Sequence, residues 1–343
     1  MGDVKAIYWF AESGFPIERI DSKLYTHIFC GFAKLNSETN QLVISPNHQH
    51  YFSSFTPTVQ QKNPNVKTLI SIGGGGINTT AYANMASQPG TRRTFIDSSI
   101  KLARAYGFHG LDLDWEFPLD NTQMANLGKL VDEWRVAVEA EHRSSGKEVL
   151  LLTAAVSFGP ILWGGRSYPY PSIARSLDWI NVMSYDFYSP VDRGDDEKSL
   201  TRAPAALFDR TSNVSGSYGL NAWIQAGVPA NKLVLGIPFY GIGWRLVNPN
   251  AHGLNAKANG PAGPGDSTFE YHKIRNMIQN GAGHDFNDIV VTNYCYAGTT
   301  WIGYDDTESV ETKVIYVRSN RFRGYFAWHV GADLNDELSR AGS

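Results

Sequence analysis

Eight short apolar runs, most of them near-continuously hydrophobic, punctuate the chain, with helix-like stretches between most of them. They lie at Val4 to Phe10, Tyr25 to Lys34, Val66 to Gly73, Gly110 to Glu116, Leu150 to Val156, Trp179 to Tyr185, Leu233 to Phe239 and Gly324 to Val330. A strand that is apolar on both faces must be covered on both, and strands alternating with helices build a parallel sheet. Eight such units predict an α/β chain closed as a (β/α)8 TIM barrel. The 343 residues exceed the roughly 250 that such a barrel needs, and the surplus falls in one place. About 85 residues separate the seventh and eighth runs, far more than a compact connection uses. Residues 242–304 therefore read as a small α+β insertion, with a helix over Tyr271 to Gln279 and a strand over Asp288 to Tyr296. Residues 1–241 and 305–343 are left for the barrel. Helices are expected at Thr91 to Tyr106 and Asn121 to His142; the second places Met124, Leu127, Leu130 and Val131 on one core-facing stripe.

Net charge is −3 with no long run of Lys or Arg, so nothing marks an electrostatic surface for nucleic acid or an anionic membrane. No stretch approaches the roughly 18 apolar residues of a spanning helix, and no signal-peptide pattern precedes the first run. Asn78-Thr79-Thr80 and Asn213-Val214-Ser215 match the N-glycosylation pattern, which leans the expectation toward a secreted or vacuolar protein whose signal is absent from this sequence. Cys30 and Cys295 are far apart and set in apolar surroundings, which predicts two buried free thiols rather than a bridge. Two cysteines cannot supply a Cys-rich binding module either. A monomer without cofactor is expected.

The chemistry-bearing segment is Gly110-Leu111-Asp112-Leu113-Asp114-Trp115-Glu116-Phe117-Pro118, in which acids and large apolar residues alternate. On a barrel strand this sends Leu111, Leu113 and Trp115 toward the helices, and stacks Asp112, Asp114 and Glu116 inside, about 6.6 Å apart along the strand. Burial and like charge disfavour full ionisation of all three, so a proton is shared or retained. Glu116, uppermost where the strand ends, is the expected general acid. Three acids could instead hold magnesium or calcium, but no further ligand cluster accompanies them. A buried acid ladder without catalysis is a bland alternative that needs a partner for every charge. Acids stacked on one strand do not easily flank a glycosidic bond, as the two-carboxylate glycosidases require. A 2-acetamido sugar supplies its own nucleophile, with Asp114 orienting the acetamide and Glu116 protonating the leaving oxygen.

Asp112-Leu113-Asp114-Trp115-Glu116 resembles the D-x-D-x-E signature of family 18 glycoside hydrolases, and the whole chain resembles plant class V chitinases. Ser71-Ile72-Gly73-Gly74, Met183-Ser184-Tyr185-Asp186, Pro238-Phe239-Tyr240 and Tyr325-Phe326-Ala327-Trp328 extend the resemblance over nearly its full length. The resemblance implies retaining hydrolysis of β-1,4 N-acetylglucosamine chains, with chitin or chitooligosaccharides as ligand. It further implies that Tyr185 bonds the acetamide carbonyl, that Asp186 steadies sugar or acids, and that Trp328 floors the reacting sugar. Tyr8 and Ser71 would partner Asp112, with barrel filling as their other reading. Phe32, Met183, Tyr240 and Arg245 resemble substrate-contacting positions. Tyr185 and Asp186 are adjacent, so the strand must end or bulge for both to serve. Gly75 departs from the family, in which many members carry a stacking tryptophan there. Trp163 could partly replace that platform, or the glycines could open room for another substrate.

Two other classes compete with the chitinase reading: a hydrolase of acylated chitooligosaccharide signals, and a lectin on the same barrel. The presence of Glu116, Asp114 and Tyr185 argues against the lectin.

Overall fold

A computed structural model describes residues 3–191 and 199–343. Eight parallel strands form the barrel: β1 Val4–Phe10, β2 His27–Leu35, β3 Lys67–Gly73, β4 Gly110–Asp114, β5 Leu151–Ser157, β6 Trp179–Met183, β7 Leu233–Pro238 and β8 Gly324–Trp328. Each pairs with its neighbours in sequence order, and β1 pairs with both β2 and β8, so the sheet closes on itself. Closure leaves no barrel edge, and it covers every strand on both faces, which is why the runs are rich in apolar residues.

Helices Gln49–Lys62, Pro89–Ala105, Asn121–Ser145, Tyr170–Ser176, Gly216–Ala226 and Thr307–Ser319 surround the barrel, while β1 is followed only by short 3-10 turns. Met124, Leu127, Leu130 and Val131 are buried in the main core with Leu111, Leu113 and Trp115, the outward residues of the acid-bearing segment. A second, inner cluster fills the barrel with Tyr8, Phe29, Leu69, Trp179, Val234 and Phe326. Cys30 and Cys295 are both buried and free.

Between β7 and the helix Thr307–Ser319, an antiparallel sheet is built from Tyr240–Leu246, Ala258–Pro261, Thr268–Glu270, Gly283–Asn287, Thr292–Ala297 and Thr300–Tyr304, with the helix Tyr271–Gln279 packed against it. The strand expected over Asp288 to Tyr296 begins only at Thr292 and runs to Ala297. The Asn287 side chain accepts from the amides of Ile289 and Val290, and Val291 sits at φ 59°, so Asp288 to Val291 form a turn that joins it to the preceding strand Gly283–Asn287. Among the described residues, no helix is long and apolar enough to cross a membrane.

Candidate active site

The site begins with a layer of side chains inside the barrel. Ser71, Asp112 and Thr153 stand opposite one another in register on β3, β4 and β5. Asp112 Oδ2 accepts from Tyr8 Oη and Ser71 Oγ, each at 2.8 Å, and its Oδ1 accepts from Thr153 Oγ1 at 2.6 Å. Asn181 on β6 donates to Tyr8 Oη at 2.9 Å and is itself held by the Trp179 indole N–H at 3.0 Å. Burial pushes the Asp112 pKa up while the three hydroxyl donors pull it back, the usual contest at a buried carboxylate. Tyr8 is raised well above an ordinary phenol by burial and by Asp112, so it stays a donor. Tyr8 and Ser71 thus meet Asp112, beneath the cleft rather than in it. Thr153 and Asn181 were not anticipated, yet each is a polar residue flanked by apolar ones within its strand, a readable sign of an inward partner.

Above this layer the chain departs from the expected geometry. The strand β4 ends at Asp114, so Trp115 and Glu116 lie beyond it. Cross-strand pairing stops there, with the Gly74 amide donating to the Asp114 carbonyl at 2.9 Å, and Pro118 has no N–H to extend it. The alternation nevertheless persists: Trp115 is buried outward and Glu116 reaches the cleft. Asp114 is 5 % exposed and hydrogen-bonded to Glu116, while its Oδ1 has no partner among the described residues. Burial, then the charges of Glu116 and Asp112, raise Asp114 far above an ordinary carboxyl. Glu116 is raised by burial and by Asp186, and lowered by the hydrogen bond from Asp114. The two carboxyls therefore titrate as a coupled pair that shares a proton.

On the facing side, β6 ends at Met183 and a tight turn follows, with the Ser184 amide donating to the Val182 carbonyl at 2.8 Å. Asp186 then adopts φ 56°, the left-handed region, which lets Tyr185 and Asp186 both line the cleft. Tyr240 Oη donates to Asp186 Oδ1 at 2.7 Å. Burial and the neighbouring carboxylates raise both phenols, so Tyr185 and Tyr240 remain hydrogen-bond donors. Trp328, the last residue of β8, is half-buried, stacked on Phe10 at 5.2 Å and 8°, and flanked by Tyr8 and Phe32 at 5.6 and 5.8 Å. Phe10 has the same strand parity as Tyr8, which is the signal that would have found it.

A cleft of about 1000 Å³ opens over these groups. Asp114, Glu116, Met183, Tyr185, Asp186, Tyr240, Trp328, Phe32 and Gly75 all line it. A Cβ on Gly75 would lie 3.9 Å from Glu116 Oε1, so the glycine leaves space directly beside the acid. Arg245 is not brought to the cleft: it is exposed on the insertion sheet opposite Thr300, one position beyond the buried Trp244, so strand alternation turns it outward. Trp163 does not line the cleft either and stands 93 % exposed on the hairpin after β5. The cleft also takes Glu270 and Lys273 from the insertion, which nothing in local sequence pattern singles out. Among the described residues, no three His, Cys, Asp or Glu side chains are grouped to hold a metal ion.

A closed parallel barrel with buried acids at the carboxyl ends of its strands and an aromatic-walled cleft above them defines a TIM-barrel enzyme of the glycosidase type. The model of glycosyl hydrolases family 18 matches residues 4–333, and the chain belongs to that family. It is 54% identical over 342 residues to a class V chitinase of Arabidopsis thaliana, covering 99% of this chain and 89% of the relative. A mutant class V chitinase from Nicotiana tobaccum, in complex with NAG4, superposes with a TM-score of 0.96 at 54% identity over 99% of this chain and 98% of that one. The chitinase-like agglutinin RobpsCRA from Robinia pseudoacacia superposes at 0.92 and 45% identity with the same coverage.

Proposed function

We propose that the protein is a retaining chitinase that hydrolyses β-1,4 linkages between N-acetylglucosamine units with the substrate's acetamide as nucleophile. The observation that carries this reading is the hydrogen-bonded Asp114–Glu116 pair, whose free Asp114 oxygen is buried at the cleft. Substrate binding would let the acetamide N–H donate to Asp114, favouring its anionic form and shifting the shared proton to Glu116. Glu116 then protonates the leaving glycosidic oxygen as the acetamide carbonyl oxygen attacks the anomeric carbon, with Tyr185 donating to that carbonyl. Water opens the cyclic intermediate with Glu116 as base, and the two inversions give net retention. Trp328 offers a ring face to the sugar's C–H surface. Trp163, on its exposed hairpin, is available to stack a distal acceptor sugar. The class V chitinase relatives and the oligosaccharide complex of one of them support the substrate class.

The test is hydrolysis of N-acetylglucosamine hexamer with product anomers resolved, run beside Glu116→Gln. Rapid cleavage to β-anomers and loss of at least about 10²-fold in kcat for the variant are expected, since a positioned acid contributes that much. Initial α-anomers, or a variant that retains substantial turnover, would remove this mechanism. Binding by the unmutated protein without cleavage would point to a lectin, as with the agglutinin relative. A second substrate is favoured by one feature of the cleft: Leu35, Ile77, Ala81 and Tyr82 make an apolar wall beside Gly75 and Gly76. That wall suits an N-acyl chain longer than acetyl, and a kcat/KM no better for an acylated oligomer than for its acetylated counterpart would count against it.

A further inference from the structure

The cleft rim carries a residue that the proposed hydrolysis does not use. Asn78 is exposed, lines the cleft, and lies three residues beyond Gly75, whose Cβ position is 3.9 Å from Glu116 Oε1. It heads Asn78-Thr79-Thr80, the acceptor pattern for N-linked sugar. Asn78 is also the N-cap of the helix Thr79–Ser87, and in that role only its Oδ1 is engaged, accepting from the Ala81 amide at 3.3 Å. The cap leaves Nδ2 without a partner among the described residues. The amide carbonyl survives N-glycosylation, so the cap and the modification are compatible at one side chain.

We propose that Asn78 is an N-glycosylation site whose glycan stands at the mouth of the catalytic cleft and limits entry of long substrate chains. The donor is an oligosaccharide linked through pyrophosphate to a lipid. Asn78 Nδ2 forms the new bond to the anomeric carbon, the bond from that carbon to the pyrophosphate oxygen breaks, and Nδ2 gives up one proton as the lipid pyrophosphate departs. The two glycines at positions 75 and 76 present no side chains between Asn78 and the acid, so a glycan on Asn78 faces the cleft on that side. The other acceptor pattern is an internal comparison. Asn213 is exposed but precedes the helix Gly216–Ala226, and it does not line the cleft. A glycan there decorates the surface without meeting substrate. The modification itself stands apart from the proposed hydrolysis, whereas the gating rests on it.

The experiment secretes the full chain, behind an added signal peptide, from a eukaryotic host, and maps sites by enzymatic deglycosylation in heavy-oxygen water with peptide mass spectrometry. Conversion of Asn78 to labelled Asp is expected. Thr80→Ala, at an exposed helical position, should abolish the label while sparing the Asn78 cap, and Thr80→Ser should keep it. An unlabelled Asn78 in the secreted protein, whether or not Asn213 is labelled, overturns the proposal. For gating, Thr80→Ala or deglycosylation should raise the rate on polymeric chitin several-fold relative to N-acetylglucosamine trimer, and Asn213→Gln should leave that ratio unchanged. A labelled Asn78 with the same ratio before and after deglycosylation refutes the gating. If the protein cleaves neither substrate, the hydrolysis reading fails, and the same comparison is made on the association rate of long against short oligomers.

Discussion

Asp114 and Glu116 contribute to function at the expense of stability. Both have pKa values raised above the ordinary carboxyl range, so the folded protein binds protons that the unfolded chain has already released. Stability associated with the pair is therefore present below the ordinary carboxyl pKa and declines as pH rises through the raised values. Asp114→Asn substitutes a side chain that is neutral without taking up a proton, so at pH 7 it should raise Tm, on the order of 2 °C for each kcal/mol gained, while kcat collapses. Unchanged kinetics would remove Asp114 from its orienting role. Asp186 acts through charge: its carboxylate, beside Glu116, raises the Glu116 pKa. Asp186→Asn should therefore lower the Glu116 pKa and move the alkaline limb of the kcat/KM profile to lower pH. A limb that stays in place or moves upward would show that Asp186 does not act on Glu116 through its charge.

Among the elements, the helix Thr307–Ser319 joins barrel to insertion, and a buried ion pair adds to the apolar packing of Val310, Val314 and Val317. Lys313 Nζ donates to Asp305 Oδ2 and to the Ala205 carbonyl, each at 2.6 Å, with both charged side chains almost fully buried. Burial lowers the Lys313 pKa and raises that of Asp305, and their mutual attraction opposes both shifts. Lys313→Met leaves one carboxylate buried without its cation and should cost about 3–5 kcal/mol in denaturant unfolding. Adding Asp305→Asn should recover much of that loss; a double variant no more stable than the single would assign the cost to packing. The neighbouring cap follows similar logic, since Asp306 heads the same helix and also accepts from Tyr271 Oη at 2.7 Å, tying the insertion helix to the barrel.

For the molecule as a whole, a net charge of −3 and a cleft proposed for a neutral sugar predict little dependence on ions. Activity on hexamer should survive EDTA, and kcat/KM should change less than about two-fold between low salt and 0.5 M NaCl, where screening removes long-range steering. Loss on chelation, restored by one divalent cation, would replace the acetamide mechanism with a metal-assisted one.

The barrel and its acid ladder were legible because both are period-two patterns on strands, and a barrel strand leaves only two directions for a side chain. Eight apolar runs named the strands, and the alternation from Asp112 to Glu116 named the inward carboxylates, even though β4 stops at Asp114. What the pattern could not carry was contact between distant segments. Thr153 and Asn181 meet Asp112, and Phe10 stacks on Trp328, only because closing the barrel brings separate strands into register. Arg245 shows the reverse, a residue of suitable chemistry that strand alternation turns away from the cleft. The proton shared by Asp114 and Glu116 also belongs to the folded state, because burial and proximity, neither of them a property of local sequence, shift those two carboxyls.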